Sequence, residues 1–258
     1  MRVRGCRRWA ALALVLAVAG CGTGDDGRSG DGGNDGNGAA RSGGSGDAGG
    51  SGTVARRPEV AFTRVGLPDA TLPVVLTPEG DGLLVGTRRG GAPGLLRLGA
   101  AGAITEVPLA PATPYGREAE WRAIEVAGDR ILAVGGERGG AHGNVRWSIW
   151  TGSGAGLTEW PQGFSVFGGY GAGELVGVAR TADGPVVLGS WESRDTGSDV
   201  AVWTTADGMT WARQSSAGTP LESRRGALGF PTAATAAGDA ALVVGWELAG
   251  GQRPVAWR

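Results

Sequence analysis

Lysine is missing altogether from this sequence of 258 residues, so every basic side chain other than the single histidine is an arginine. Cysteine, tyrosine and methionine occur only twice each. Each shortage excludes something. The cysteines stand at positions 6 and 21, so the chain from residue 55 onward has none. That rules out disulfides, thiol catalysis and cysteine-ligated metal in its folded part. The one histidine, His142, lies in the glycine-rich stretch ERGGAHGN. Without a second histidine or a carboxylate cluster it is a weak metal ligand, and it cannot anchor a credible Ser–His–Asp set. No GxxxxGK[ST] run occurs, and the Gly-x-Gly patterns lack the strand-to-helix context a dinucleotide needs. Twenty-four arginines are balanced by 25 acidic residues and are scattered along the chain, which argues against a nucleic-acid partner. The absence of lysine reads as coding bias. No catalytic residue, cofactor or metal is assigned.

What is present begins with a leader. Arg2, Arg4, Arg7 and Arg8 precede an apolar stretch, Trp9–Val18, which is shorter than the roughly 20 residues that span a bilayer. Small residues follow at Ala19 and Gly20, directly before Cys21. This order of basic, apolar and small residues ending in cysteine resembles the bacterial lipobox. The resemblance implies a signal peptide over 1–20, a diacylglyceryl group on Cys21, and anchoring to the outer face of the cytoplasmic membrane. Loss of the four leader arginines would move the net charge from −1 to −5. Residues 22–54 consist almost wholly of Gly, Ser, Asp, Asn, Ala and Thr, and Val54 is their only apolar side chain larger than alanine. Such a segment buries too little surface to offset its chain entropy. With Cys21 it reads as a tether over 21–54, with a reach of roughly 30 Å. No later segment approaches 18 uninterrupted apolar residues, so lipid is the expected membrane attachment.

Residues 55–258 are organised by a repeat. The runs LLVG (83–86), LAVG (132–135), VVLG (186–189) and LVVG (242–245) end in glycines 49, 54 and 56 residues apart. An apolar or small-residue run and a Gly/Asp turn precede each one. A glycine-rich loop follows, then in three units a strand ending in tryptophan at Trp150, Trp203 and Trp257. A turn and a last short strand complete the pattern, as in LTEW (157–160). Four short strands recurring about every fifty residues predict a β-propeller blade. The expected fold is therefore all-β, a small propeller of about four four-stranded blades near 70–109, 118–162, 172–217 and 228–258. The fourth unit stops before its last strand. AFTRVG (61–66) matches the spacing of TWARQS, with Phe62 for Trp211. A strand over 58–66 is therefore expected to complete that blade and close the ring. The rival reading is a chain cut short from a longer propeller.

The stretch TTADGMTW (204–211) resembles the Asp-box hairpin of sialidase-type propellers, through Thr205, Asp207, Gly208 and Trp211. It departs from that pattern because no residue separates Asp207 from Gly208. The resemblance implies a structural turn at a blade edge, away from any active site. Asp-Gly is itself a strong hairpin signal. Sialidase-like enzymes use an arginine cluster and a tyrosine nucleophile beside a glutamate. PYGREAEWR (114–122) puts Tyr115, Arg117, Glu118 and Glu120 in one loop, in a spacing that matches no known catalytic motif. Trp191 with Glu192, and Trp246 with Glu247, fall where loops leave the core strands. These eight residues form the candidate ligand face, beside the loops 112–120, 137–146, 163–173 and 191–200. The expected function is an anchored, non-enzymatic propeller that binds or scaffolds an envelope protein or carbohydrate. The alternatives are a sialidase-like carbohydrate-active enzyme and a degenerate propeller without ligand.

Overall fold

The computed structural model describes residues 62–139, 143–169, 171–193 and 195–258. Cys21, the leader, the tether and His142 lie outside these residues. Among them sixteen strands and two short helices follow one another, and four sheets contain all these strands. Sheet I is β1 (Thr71–Glu79), β2 (Gly82–Arg89), β3 (Ala92–Leu98) and β4 (Ile104–Glu106). The short β5 (Leu109–Ala110) and helix α1 (Pro114–Glu118) lead to sheet II, which is β6 (Glu120–Ala127), β7 (Arg130–Arg138), β8 (Val145–Ser153) and β9 (Gly156–Trp160). Helix α2 (Phe164–Phe167) precedes sheet III, which is β10 (Ala172–Thr181), β11 (Gly184–Trp191), β12 (Asp199–Thr204) and β13 (Ala212–Arg213). Sheet IV has three strands, β14 (Leu228–Ala237), β15 (Ala240–Leu248) and β16 (Gln252–Trp257). Each sheet is an antiparallel meander, and β5 adds to sheet II as a parallel edge strand beside β9. The four sheets are arranged as the blades of a four-blade β-propeller.

The register of every blade follows from its first turn. Two residues join the first and second strands: Gly80-Asp81, Gly128-Asp129, Ala182-Asp183 and Gly238-Asp239. In three of them the first residue is a glycine near φ +60°, the conformation a tight hairpin asks for and side chains resist. Five to seven residues before the turn each first strand carries a bulge, at Pro73/Val75, Trp121/Ala123, Leu175/Gly177 and Pro231/Ala233. The bulge lies opposite Gly135, Gly189 and Gly245 in sheets II to IV, but opposite Thr87 in sheet I. The true counterpart of the repeat glycine in sheet I is therefore Thr87, one residue beyond Gly86. The turn, and not the look of the LLVG run, sets the count.

That register decides which side chains face which neighbour, because alternate residues point to opposite faces. Trp150, Trp203 and Trp257 each lie across from the same core-strand position, at Ala133, Val187 and Val243. All three point toward the preceding sheet. Trp150 packs with Leu84 and Leu95 of sheet I, and Trp203 with Leu132 and Ile149 of sheet II. Trp257 packs with Val186 and Leu188 of sheet III. In sheet I the position is held by Leu96. Gly86 lets sheet II close in, since a Cβ there would stand 2.9 Å from side-chain atoms of Ile124 and Trp121. Trp121 also donates its indole N–H across the interface to the Gly94 carbonyl at 2.7 Å. The three apolar clusters thus lie between sheets I and II, II and III, and III and IV.

Among the described residues the expected closing strand is not formed, and sheet IV has three strands. Residues 58–61 lie outside the described part, and 62–66 form no strand. Phe62 is 93% exposed, whereas Trp211, its proposed counterpart, is 2% exposed. Trp211 is buried because Phe167 lies 6.4 Å from it, between sheets II and III. Phe62 has no such enclosure. The rim of sheet IV is β16, and Pro254 within it lacks a backbone N–H, as an edge strand tolerates.

Candidate functional site

Three of the four loops expected on one rim meet in a single groove. α1 begins there because Thr113 caps it, its hydroxyl accepting from the Gly116 N–H at 2.9 Å, with Pro114 in the first turn. The segment just before α1 is anchored by Glu159 of β9, which is 3% exposed. Its carboxylate accepts from the Ala112 N–H at 2.6 Å, the Thr113 N–H at 2.9 Å and the Thr113 hydroxyl at 2.6 Å. Gly116 is obligatory beside it, since a Cβ would overlap the carboxylate. Glu159 therefore fastens the loop.

The cavity between this loop and α2 measures about 370 Å³. Its walls are Tyr115, Arg146, Trp147, Trp160, Gln162 and Phe164, with Glu159 at its base. The Arg146 guanidinium lies 4.4 Å from the Phe164 ring centre and 6.0 Å from that of Tyr115. Among the described residues it forms no ion pair. Nearby, the Trp147 indole N–H is buried without a hydrogen-bond partner. Gln162 is committed through its amide to the carbonyls of Trp160 and Met209. Among the described residues the groove thus offers a cation without an ion-pair partner, set against aromatic faces.

A second cavity, of about 390 Å³, gathers charge where the first strands of sheets I to III converge. Arg88 bonds Glu120 at 2.9 Å and Glu137 at 3.4 Å, and Arg138 reaches Glu174 at 3.5 Å. Arg122 donates to the Leu175 carbonyl at 2.8 Å. Each arginine here already has an oxygen partner, so the cluster ties sheets I, II and III together.

Against this frame the eight sequence candidates separate. Tyr115 enters the aromatic groove, Arg117 lines a separate hollow with Pro93 and Leu109, and Glu118 is exposed. Glu120 is held by Arg88 in the charged cluster. Trp191 packs edge-on against Trp203, 5.9 Å away, with the Arg213 guanidinium 4.7 Å over its ring. Glu192 is exposed beside it, and its backbone N–H bonds the Gly171 carbonyl. Trp246 stacks on Phe230 at 4.0 Å and 16°, with Glu247 next to it on sheet IV. The two tryptophan–glutamate pairs belong to different sheets, and each tryptophan has an aromatic neighbour of its own. Arg146, Glu159 and Phe164 were missed. Their one signal in the sequence is that Arg146 and Phe164 fall at the edges of the 137–146 and 163–173 loops.

Asp207 is bonded within its own turn. One oxygen accepts from the N–H groups of Met209 at 2.8 Å and Thr210 at 2.7 Å and from the Thr205 hydroxyl at 3.0 Å. These bonds, the Thr210 one foremost, lower its pKa to about 2. The Thr205 hydroxyl in turn accepts from the Gly208 N–H at 2.9 Å, and Gly208 sits at φ +76°. The loop is self-contained.

No family model, curated protein or solved structure matches the chain. Among the described residues no group of three or more histidine, cysteine, aspartate or glutamate side chains is placed to hold a metal ion. None of their helices is long and apolar enough to cross a membrane.

Proposed function

We propose that this chain is a lipid-anchored protein of the bacterial cell envelope whose propeller binds a ligand without transforming it. The anchor is the diacylglyceryl group of Cys21, the tether is 21–54, and the binding site is the groove between α1 and α2 at the edge of sheet II. The observation that carries the reading is the Arg146 guanidinium, without an ion-pair partner among the described residues and set beside the rings of Phe164 and Tyr115. A cation over aromatic faces favours an anionic group attached to a flat or ring-shaped body. Acidic oligosaccharides have that chemistry. The carboxylate that lines the same cavity, Glu159, is occupied by three donors and is not placed as a general acid or base. Tyr115 and the arginine cluster of the second cavity lie apart, which disfavours the sialidase-like alternative.

Titration with a uronic-acid oligosaccharide should change tryptophan fluorescence, and a neutral oligosaccharide of equal length should not. Arg146→Met should weaken that binding about tenfold or more, as expected for loss of a charge-assisted contact. Equal binding of both sugars, or no effect of the substitution, removes the groove from the account. Cleavage of chromogenic glycosides that is abolished by Tyr115→Phe would replace the binding reading by the enzymatic one. An unmodified Cys21 in the membrane fraction, by mass spectrometry, would remove the anchor.

A further inference from the structure

The α1–α2 groove and the charged cavity share one strand. Val145, Arg146 and Trp147 open β8 in succession. Arg146 lines the groove, Val145 lines the charged cavity, and Trp147 lines both. The register of sheet II explains how one side chain serves two cavities. Gly136 of β7 lies between Glu120 of β6 and Trp147 of β8. These three form one row across the sheet, roughly 10 Å from first to last at about 4.8 Å per strand. A Cβ on Gly136 would stand 2.5 Å from the Val145 side chain and 2.9 Å from the Trp147 ring. Both side chains therefore lie over the glycine, and the missing side chain at Gly136 is what lets Trp147 reach across β7 into the cavity that Glu120 also lines.

The two cavities ask different things of a ligand. The groove presents Arg146, without an ion-pair partner among the described residues, and suits an anionic unit. The charged cavity is lined by three arginines, Arg88, Arg122 and Arg138, and three glutamates, Glu120, Glu137 and Glu174, so its formal charge cancels. Glu120 and Glu137 each place one oxygen on Arg88, and Glu174 places one on Arg138. Each carboxylate keeps a second oxygen without a donor among the described residues. An ion entering here would compete with a charge pair already made. A hydroxyl can donate to the open oxygen while the pair stays intact. The indole of Trp147 beside these carboxylates suits the apolar face of a ring. A neutral, hydroxyl-rich ring meets all of these conditions. We infer that the ligand of the groove continues over Trp147 into the charged cavity, so that the protein binds a glycan in which an acidic sugar is joined to a neutral one. This extension rests on the groove being the binding site.

The test titrates the full-length chain in detergent with two linear oligosaccharides of equal length, followed by tryptophan fluorescence. One is made only of glucuronate units, and in the other glucuronate alternates with N-acetylglucosamine. The alternating probe should bind about tenfold tighter or more. Glu120→Gln and Glu174→Gln should each remove about fivefold of that advantage, as for loss of a charge-assisted acceptor. Neither should change the affinity for the all-glucuronate probe. Both side chains are more than half exposed, at 55% and 54%, and exposed pairs add little to stability, so both variants should keep the wild-type urea midpoint. Arg146→Met should weaken both probes alike. Equal or weaker binding of the alternating probe overturns the extension and leaves the groove in place, as do glutamate variants that shift both probes equally. If neither probe binds, or if Arg146→Met changes nothing, the groove reading falls and the extension falls with it.

Discussion

Replacing Trp150 by alanine is the most direct test of how the blades hold together. Trp150 is 0% exposed and fills the space between sheets I and II. Its ring meets Trp121 edge-on at 5.5 Å and 65°, and its indole N–H donates to the Ser148 hydroxyl at 3.0 Å. Truncating a buried tryptophan removes its transfer free energy and leaves a cavity, together about 3–5 kcal/mol. The lost aromatic pair adds about 0.5–1.5 kcal/mol to that side. The lost hydrogen bond adds little, because the Ser148 hydroxyl still donates to the Gly135 carbonyl at 3.3 Å. The expected loss is about 4 kcal/mol, measured as a shift in urea midpoint at unchanged slope. At about 2–4 °C per kcal/mol for a domain of this size, Tm should fall by roughly 8–16 °C. Trp246→Ala serves as the control. Trp246 is half-buried and stacked only on Phe230, so it should cost about 1–2 kcal/mol. If Trp150→Ala costs less than Trp246→Ala, the repeated tryptophan is not the filling of the blade interface and the packing argument fails.

Two further substitutions probe polar groups. Glu159→Gln leaves the donors of Ala112 and Thr113 short of one charged acceptor, at a cost of about 2–3 kcal/mol. It should also open 112–118 to trypsin at Arg117, and unchanged cleavage there would show that Glu159 does not fasten the loop. Burial raises the pKa of Glu125 above its ordinary 4.5, opposed by Arg180, whose Nε is 3.9 Å away. Above that ordinary value the folded chain holds the Glu125 proton more tightly than the unfolded chain does, so stability falls as pH rises toward the raised pKa. Glu125→Gln should remove this part of the slope in the urea midpoint, and a slope unchanged by the substitution would refute it.

The propeller was legible because its punctuation is local. A Gly-Asp or Ala-Asp turn fixes two strands, and an apolar run of fixed length follows. Sheet I shows the limit of reading runs alone. LLVG looks like its three counterparts but is displaced by one residue, and only counting from Gly80-Asp81 corrects it. The closing strand failed for a related reason. Phe62 matched Trp211 in spacing, but spacing carries no information about Phe167, which encloses Trp211 from another loop. The groove was only partly visible. Tyr115 stood out by its neighbours in sequence, whereas Arg146, Glu159 and Phe164 come from three separate segments and meet only after sheet II is formed. Trp191 and Trp246 looked like a platform because both leave a core strand beside a glutamate. Each instead spends its ring on a nearby aromatic.

Every blade contact within the described chain joins sequence neighbours, and every blade starts from the same two-residue turn and the same bulge. A genetic crossover that duplicated or deleted one fifty-residue unit would therefore leave the internal bonding of all other units intact and disturb a single junction. The junctions differ in how freely they would accept such an exchange. Sheets III and IV meet through aliphatic groups and Trp257, without an ion pair among the described residues. Sheets I and II also share the Arg88–Glu120 and Arg88–Glu137 bonds, and sheets II and III the Glu125–Arg180 contact. Those charged pairs act as addresses, and they favour growth or loss of units at the sheet IV end of the array.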